Sequence, residues 1–172
     1  MDLKLSKSVR PIFDVFVNGA TVTTLYDSGA NISVWLGPVQ LFKAIFKDAI
    51  LVRDNYNIMG FGGTGTKYYL YKIPVVKFSN NVEEYVVKNM LIAVGAYKRH
   101  DFNLLLSAGV FYACSVMINN IGYKRSLSIT YSKDEYTMII AENGKSTAVF
   151  LQDEEAYPLH PLLRAAKRGE AK

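Results

Sequence analysis

One short segment carries residues that could do chemistry. Asp27-Ser28-Gly29-Ala30 follows the apolar Leu25-Tyr26. A strand ending in Asp27 carries the carboxylate into a partly buried position. Ser28 offers a hydroxyl that can bond a backbone group or a matching hydroxyl nearby. Gly29 lacks a Cβ, so a substrate or a second chain can come close. Alone, the tetrapeptide serves equally well as an ordinary turn, since Asp, Ser and Gly all favour turns. Other chemistries find little support. Cys114 is the single cysteine, and His100 and His160 lie far apart, so neither a zinc centre nor a Cys-His or Ser-His-Asp grouping can be read. Cys114 lies among apolar residues and reads as an inert buried thiol. No metal or organic cofactor is expected.

The elements that must position Asp27 are legible around it. Residues 11–17 and 20–26 are β-rich and are separated by Asn18-Gly19, a strong short hairpin signal because both residues tolerate positive φ. A third short strand is predicted over 32–36, where Ile32, Val34 and Leu36 alternate with Ser33 and Trp35. After Gly37-Pro38, the spacing of Leu41, Phe42, Ile45 and Phe46 predicts an amphipathic helix over 39–47. Residues 49–59 look extended. Gly60-Phe61-Gly62-Gly63-Thr64-Gly65 then places four glycines in six positions between β-prone flanks, which reads as a mobile hairpin tip.

Pro74 to Phe78 and Glu83 to Val94 form another expected strand pair around Ser79-Asn80-Asn81. The apolar run Leu104-Leu105-Leu106 leads into Ser107, read as the N-cap of a short helix over 107–113. Short β-like runs continue to about residue 151. Residues 1–10 read as a loose arm or an outer strand. The expected division is one domain over 1–152 and a tail or terminal helix over 153–172, where the composition changes. That tail could be a processing remnant, a self-inhibitory strand or a disordered end.

Composition agrees with a β-rich globular domain. The chain has 172 residues, 50% of them hydrophobic, with twelve tyrosines and one tryptophan. Global disorder is excluded by that composition. The net charge of +5 is spread along the chain rather than clustered, so nucleic acid is not an expected partner. No stretch approaches the ~20 apolar residues of a membrane span, and no signal-peptide run is visible, so a cytoplasmic protein without a membrane partner is expected.

The order of strand, D-S-G-A, strand, glycine-rich hairpin and apolar turn before a short helix resembles the retropepsins, the single-domain aspartic proteases. The resemblance covers roughly residues 11–115. Ser28 stands at the Thr of the family's D-T-G-A. Leu105-Leu106-Ser107 stands where the family has two aliphatics and Gly, so Ser107 is a departure. The resemblance implies an all-β fold: a closed barrel of the acid protease type with a flap hairpin and one or two short helices. It implies an aspartic endopeptidase active as a homodimer, since the chain has one such motif and the chemistry needs two carboxylates. Asp27 would be catalytic. Ser28, Gly29 and Ala30 would form the active-site loop and the grip between subunits. An extended peptide would lie against Gly29, Asn31, Gly60, Phe61, Gly62, Gly63 and Leu106, by strand addition. Ile32, Val34, Ile58, Phe61 and Leu106 are candidate pocket walls or plain core. Two rival readings are a non-catalytic dimeric peptide-binding module of this fold, and an unrelated small β-barrel binding protein in which D-S-G-A is only a turn.

Overall fold

The computed structural model describes residues 1–58, 67–111, 114–120, 125–131, 138–140 and 146–151. The first hairpin follows directly from its turn. Strands β2 (Ile12–Val17) and β3 (Ala20–Asp27) pair antiparallel, with Val17 opposite Ala20. Asn18 and Gly19 have φ of 48° and 86°, the two positive values that a tight two-residue hairpin needs. Asn18 also anchors the turn, accepting the Lys77 N–H on Oδ1 at 2.9 Å.

Beyond Asp27 the chain returns as β4 (Ser33–Trp35), then a helix α1 (Val39–Ile45). The helix stops two residues short of the predicted 39–47. It buries Phe42 and Ile45, and Phe46 closes the last turn on the Phe42 carbonyl at 2.8 Å. Trp35, Phe42, Phe46 and Tyr71 form an aromatic knot with ring centroids 5.0–6.0 Å apart. Leu41, on the far side of the helix, is exposed.

Strands β5 (Ile50–Asn57), β6 (Lys67–Ser79) and β7 (Glu84–Val94) form an antiparallel series. Sequence reasoning breaks β6 at Pro74, but the strand runs through it. The ladder passes from Ile73↔Met90 to Val75↔Lys88, leaving out Pro74 and Asn89, and Asn89 has φ of 54°. A residue with no N–H is tolerated where the ladder skips a pair.

Strand β8 (Leu104–Ser107) leads into a single 3₁₀ turn, Ala108–Phe111. The expected short helix over 107–113 is thus a 3₁₀ turn over the described residues, and Ser107, expected as its N-cap, is the last residue of the strand before it. Pairing with Asp27 of β3 holds it extended, and its hydroxyl is engaged by Ser33. The remaining strands are β9 (Cys114–Asn119), β10 (Ser126–Tyr131), β11 (Met138–Ile140) and β12 (Ser146–Leu151).

The order β7-β4-β8-β3-β2-β6, with β6 also pairing β7, closes a six-stranded barrel. β5 extends it from β6, and β12 with β11 extends it from β7. The amino-terminal segment is an outer strand, β1 (Asp2–Lys4), in a separate sheet of order β1-β10-β9. Met1, Leu3 and Leu5 point inward with the period of a strand and join Leu127 and Ile129 in the main core.

Candidate active site

Two strands and one loop position Asp27. β3 and β8 run parallel in the register Leu25↔Leu105, Tyr26↔Leu106, Asp27↔Ser107. Side chains alternate across a strand, so these three steps point to two different faces. Tyr26 and Leu106 enter the main core, and Leu25 and Leu105 enter a second, smaller cluster. Asp27 emerges on the Leu25 side and is half-buried.

The loop after Asp27 folds back on it. The Gly29 N–H donates to Asp27 Oδ1 at 2.9 Å, and the Ala30 N–H donates to the Asp27 carbonyl at 3.2 Å. This Asx-type arrangement aims the carboxylate along the loop. Ser28, Gly29 and Asn31 are exposed, and Ala30 is half-buried. Among the described residues no basic side chain forms an ion pair with Asp27. Behind it, the Tyr26 phenol is raised above its usual pKa, first by burial and second by the Asp27 charge.

Gly29 has no left-handed φ. A Cβ there would touch only Asp27 Oδ1, at 3.4 Å, an ordinary contact. Nothing among the described residues demands glycine at this position.

The second cluster is a smaller buried apolar group on Asp27's side of the strand. It consists of Ile12, Leu25, Val34, Leu36, Tyr68, Leu70, Ala93, Phe102 and Leu105, with Ala30, Ile32, Tyr56, Ile58 and Leu91 packed at its fringe. Three candidate wall residues, Ile32, Val34 and Ile58, thus come together. Leu106 does not join them: it is 1% exposed and packs in the main core. Its neighbour Leu105 takes the place on Asp27's side, because one step along a strand reverses the face. Gly60, Phe61, Gly62 and Gly63 lie outside the described residues. Their flanks pair antiparallel as far as Asn57↔Lys67, so the glycine-rich segment joins two paired strands.

Sequence reasoning also missed Ser33. Its Oγ accepts the Ser107 N–H at 3.1 Å and lies 3.3 Å from Ser107 Oγ, and both residues are 1% exposed. The available signal was a serine inside an otherwise apolar run, since a buried hydroxyl needs a partner. Cys114 lies 3.7 Å from the Tyr85 hydroxyl, and burial pushes its thiol up, away from reactivity. His100 stacks on Phe102 with centroids 5.5 Å apart, and His160 lies outside the described residues. Among the described residues, no cluster of three His, Cys, Asp or Glu side chains could hold a metal, and no helix is long and apolar enough to cross a membrane.

No family model and no curated protein matches the chain. Solved structures do. A retropepsin-like aspartic protease from Rickettsia conorii is similar at 17% identity and a TM-score of 0.51, over 76% of this chain and 89% of that one. The retroviral protease-like domain of Ddi1 from Leishmania major aligns at 11% identity and a TM-score of 0.46, over 74% and 99%. The EIAV protease complexed with the inhibitor HBY-793 aligns at 18% identity and a TM-score of 0.36, over 64% and 92%. The likeness to the Rickettsia protein is one of fold, and the chain that presents Asp27 is a β-barrel of the retropepsin-like type.

Proposed function

We propose that the protein is an aspartic endopeptidase, active as a homodimer in which two Asp27 carboxylates meet on the two-fold axis. The supporting observation is the placement of Asp27. It ends a barrel strand, is half-buried, is oriented by the Gly29 N–H, and stands on the side of a smaller buried apolar cluster in a fold of the retropepsin-like type. That no described residue of the chain requires glycine at position 29 adds weight. A Cβ there would obstruct something arriving from outside, such as a partner loop or a peptide backbone.

The chemistry follows from electrostatics. Two carboxylates about 3 Å apart cannot both ionise cheaply, so they share one proton and titrate as a pair. The ionised Asp27 takes a proton from a water held between them, and the water oxygen bonds to the scissile carbonyl carbon. The protonated Asp27 gives its proton to the carbonyl oxygen, yielding a tetrahedral diol. Breaking the C–N bond while the nitrogen is protonated releases the amine and leaves a carboxylic acid. Ser28 would grip its counterpart across the axis. Gly29, Asn31 and the glycine-rich segment 60–63 would hold the peptide as an added strand.

Asp27→Asn tests the assignment. Peptide cleavage should fall about 10⁴-fold, the upper range for a lost acid–base group, while the dimer mass and the thermal transition persist. Equal turnover by the variant would end the catalytic role. One observation favours a second reading, a dimeric peptide-binding module without turnover: Ser107 puts a hydroxyl where the resemblance leads one to expect glycine. That reading requires a wild-type dimer that binds peptides and cleaves none across about pH 3–8, the span over which a coupled carboxyl pair titrates.

A further inference from the structure

The loop carrying Asp27 is fastened at both ends to one residue. At its entrance, Asp27 stands opposite Ser107 in the β3–β8 ladder. At its exit, Ser33 Oγ accepts the Ser107 N–H at 3.1 Å and donates its own proton to Ser107 Oγ at 3.3 Å. Both serines are 1% exposed, so neither link is weakened by competing water. A buried N–H at the end of a strand needs an acceptor, and here the acceptor is a side chain from the strand that follows the loop. The loop between these two anchors contains Gly29, whose N–H orients Asp27 Oδ1.

We infer that Ser33 and Ser107 form a two-hydroxyl clasp that fixes the loop 28–32, making them positioning residues for the Asp27 carboxylate. The catalytic consequence rests on the aspartic peptidase reading. The clasp itself can be read without turnover. Its two links are unequal. Ser33 Oγ takes part in both, whereas the Ser107 hydroxyl takes part in one. Ser33→Ala therefore leaves the buried Ser107 N–H without an acceptor, and Ser107→Ala leaves that stronger link intact. This is how serine is accommodated behind the loop: its side chain is turned toward β4 and tightens the loop's exit.

Amide hydrogen exchange and steady-state kinetics on the full chain test the clasp. In Ser33→Ala, exchange at Gly29, Ala30 and Ser107 should accelerate while amides of β6 and β7 stay protected. kcat should fall about 10²-fold at nearly constant KM, as expected when a reacting group is displaced by about an ångström. Ser107→Ala should lose less than about tenfold, the range of one hydrogen bond. Ser33→Thr, which keeps the hydroxyl, should restore both readouts. Wild-type exchange and kcat in Ser33→Ala would overturn the clasp, as would acceleration spread evenly over the barrel. In Ser107→Ala, which loses only the link between the hydroxyls, exchange at Gly29 and Ala30 should accelerate by a smaller factor than in Ser33→Ala; if Ser33→Ala does not fold, unchanged exchange in Ser107→Ala overturns the clasp. If the wild-type protein cleaves nothing, the peptidase reading fails while the exchange data still judge the clasp.

Discussion

Tyr26 and Asp27 are consecutive residues with opposite surroundings. On the Tyr26 side, β3 faces the main core. There the Tyr26 ring lies 5.8 Å from that of Phe111, with Val110, Leu106 and Tyr85 in the same cluster, and Leu106 and Tyr85 are each 1% exposed. On the Asp27 side the apolar cluster is smaller and is fringed by half-buried Ala30, Ile32, Tyr56, Ile58 and Leu91. The β8 strand repeats the contrast, with Leu106 in the main core and Leu105 in the second cluster. The pleat of a strand thus sets the main core and the candidate site one residue apart. Both faces bury apolar side chains, but the Asp27 face carries a carboxylate at the margin of its smaller cluster.

The largest expected effect that sharpens this contrast comes from truncating the two leucines. Leu106→Ala should lower unfolding stability by about 2–5 kcal/mol through a cavity in the main core, with KM for a peptide substrate unchanged. Leu105→Ala should cost stability as well, since Leu105 is also 1% exposed, and should also raise KM, because its cavity would open in the buried cluster on Asp27's side of the strand. Denaturant titration paired with steady-state kinetics measures both, and identical KM values in the two variants would erase the functional distinction between the faces.

A smaller effect is expected at Gly95. A Cβ there would lie 2.7 Å from Tyr68 Cε1, too close for any real contact, and Tyr68 is 3% exposed in the second cluster. Gly95→Ala should therefore push the ring aside at about 1–3 kcal/mol, the range for overpacking. A denaturation midpoint equal to wild type would show that Tyr68 is free to swing away, and the second cluster would then be looser than its burial implies.

The smallest effect lies in alkaline titration. Burial holds Tyr26 above its ordinary pKa of 10.0, with the Asp27 charge acting in the same direction. Burial also raises Tyr56 and Tyr68 on the other face. A group whose folded pKa is raised favours the folded state fully below the unfolded value, and the advantage disappears as pH climbs through the folded value. Stability should therefore hold up to about pH 10 and decline above it. Tyr26→Phe should flatten part of that decline, as followed by thermal melts between about pH 9 and 11. An unchanged slope would mean that the Tyr26 hydroxyl reaches water in solution.

Much of the frame was legible in the residues themselves. Asn18-Gly19 dictated its hairpin because few other pairs accept two positive φ values. Alternation over residues 32–36 marked β4, and Pro38 with the Phe42, Ile45 and Phe46 spacing marked α1. Local chemistry was enough in each case, since each feature depends on residues within a few positions. Elsewhere local signals misled. Pro74 looked like a break, yet β6 passes through it because the ladder to β7 skips that step. Ser107 looked like a helix cap, yet it pairs with Asp27 of β3 as the last residue of a strand, and a 3₁₀ turn follows it.

For the candidate site, the sequence by itself determined Asp27 and its glycine-bearing loop, because a carboxylate at a strand end followed by small residues is a local pattern. Only the tertiary structure decided that Leu105 rather than Leu106 stands on Asp27's side, and that Ser33 meets Ser107. The register between β3 and β8, and the contact between β4 and β8, are set by the closing of the barrel. That closure joins residues more than seventy positions apart, a separation over which no local preference acts, and only the shared burial of both strands fixes which side chain lies beside which.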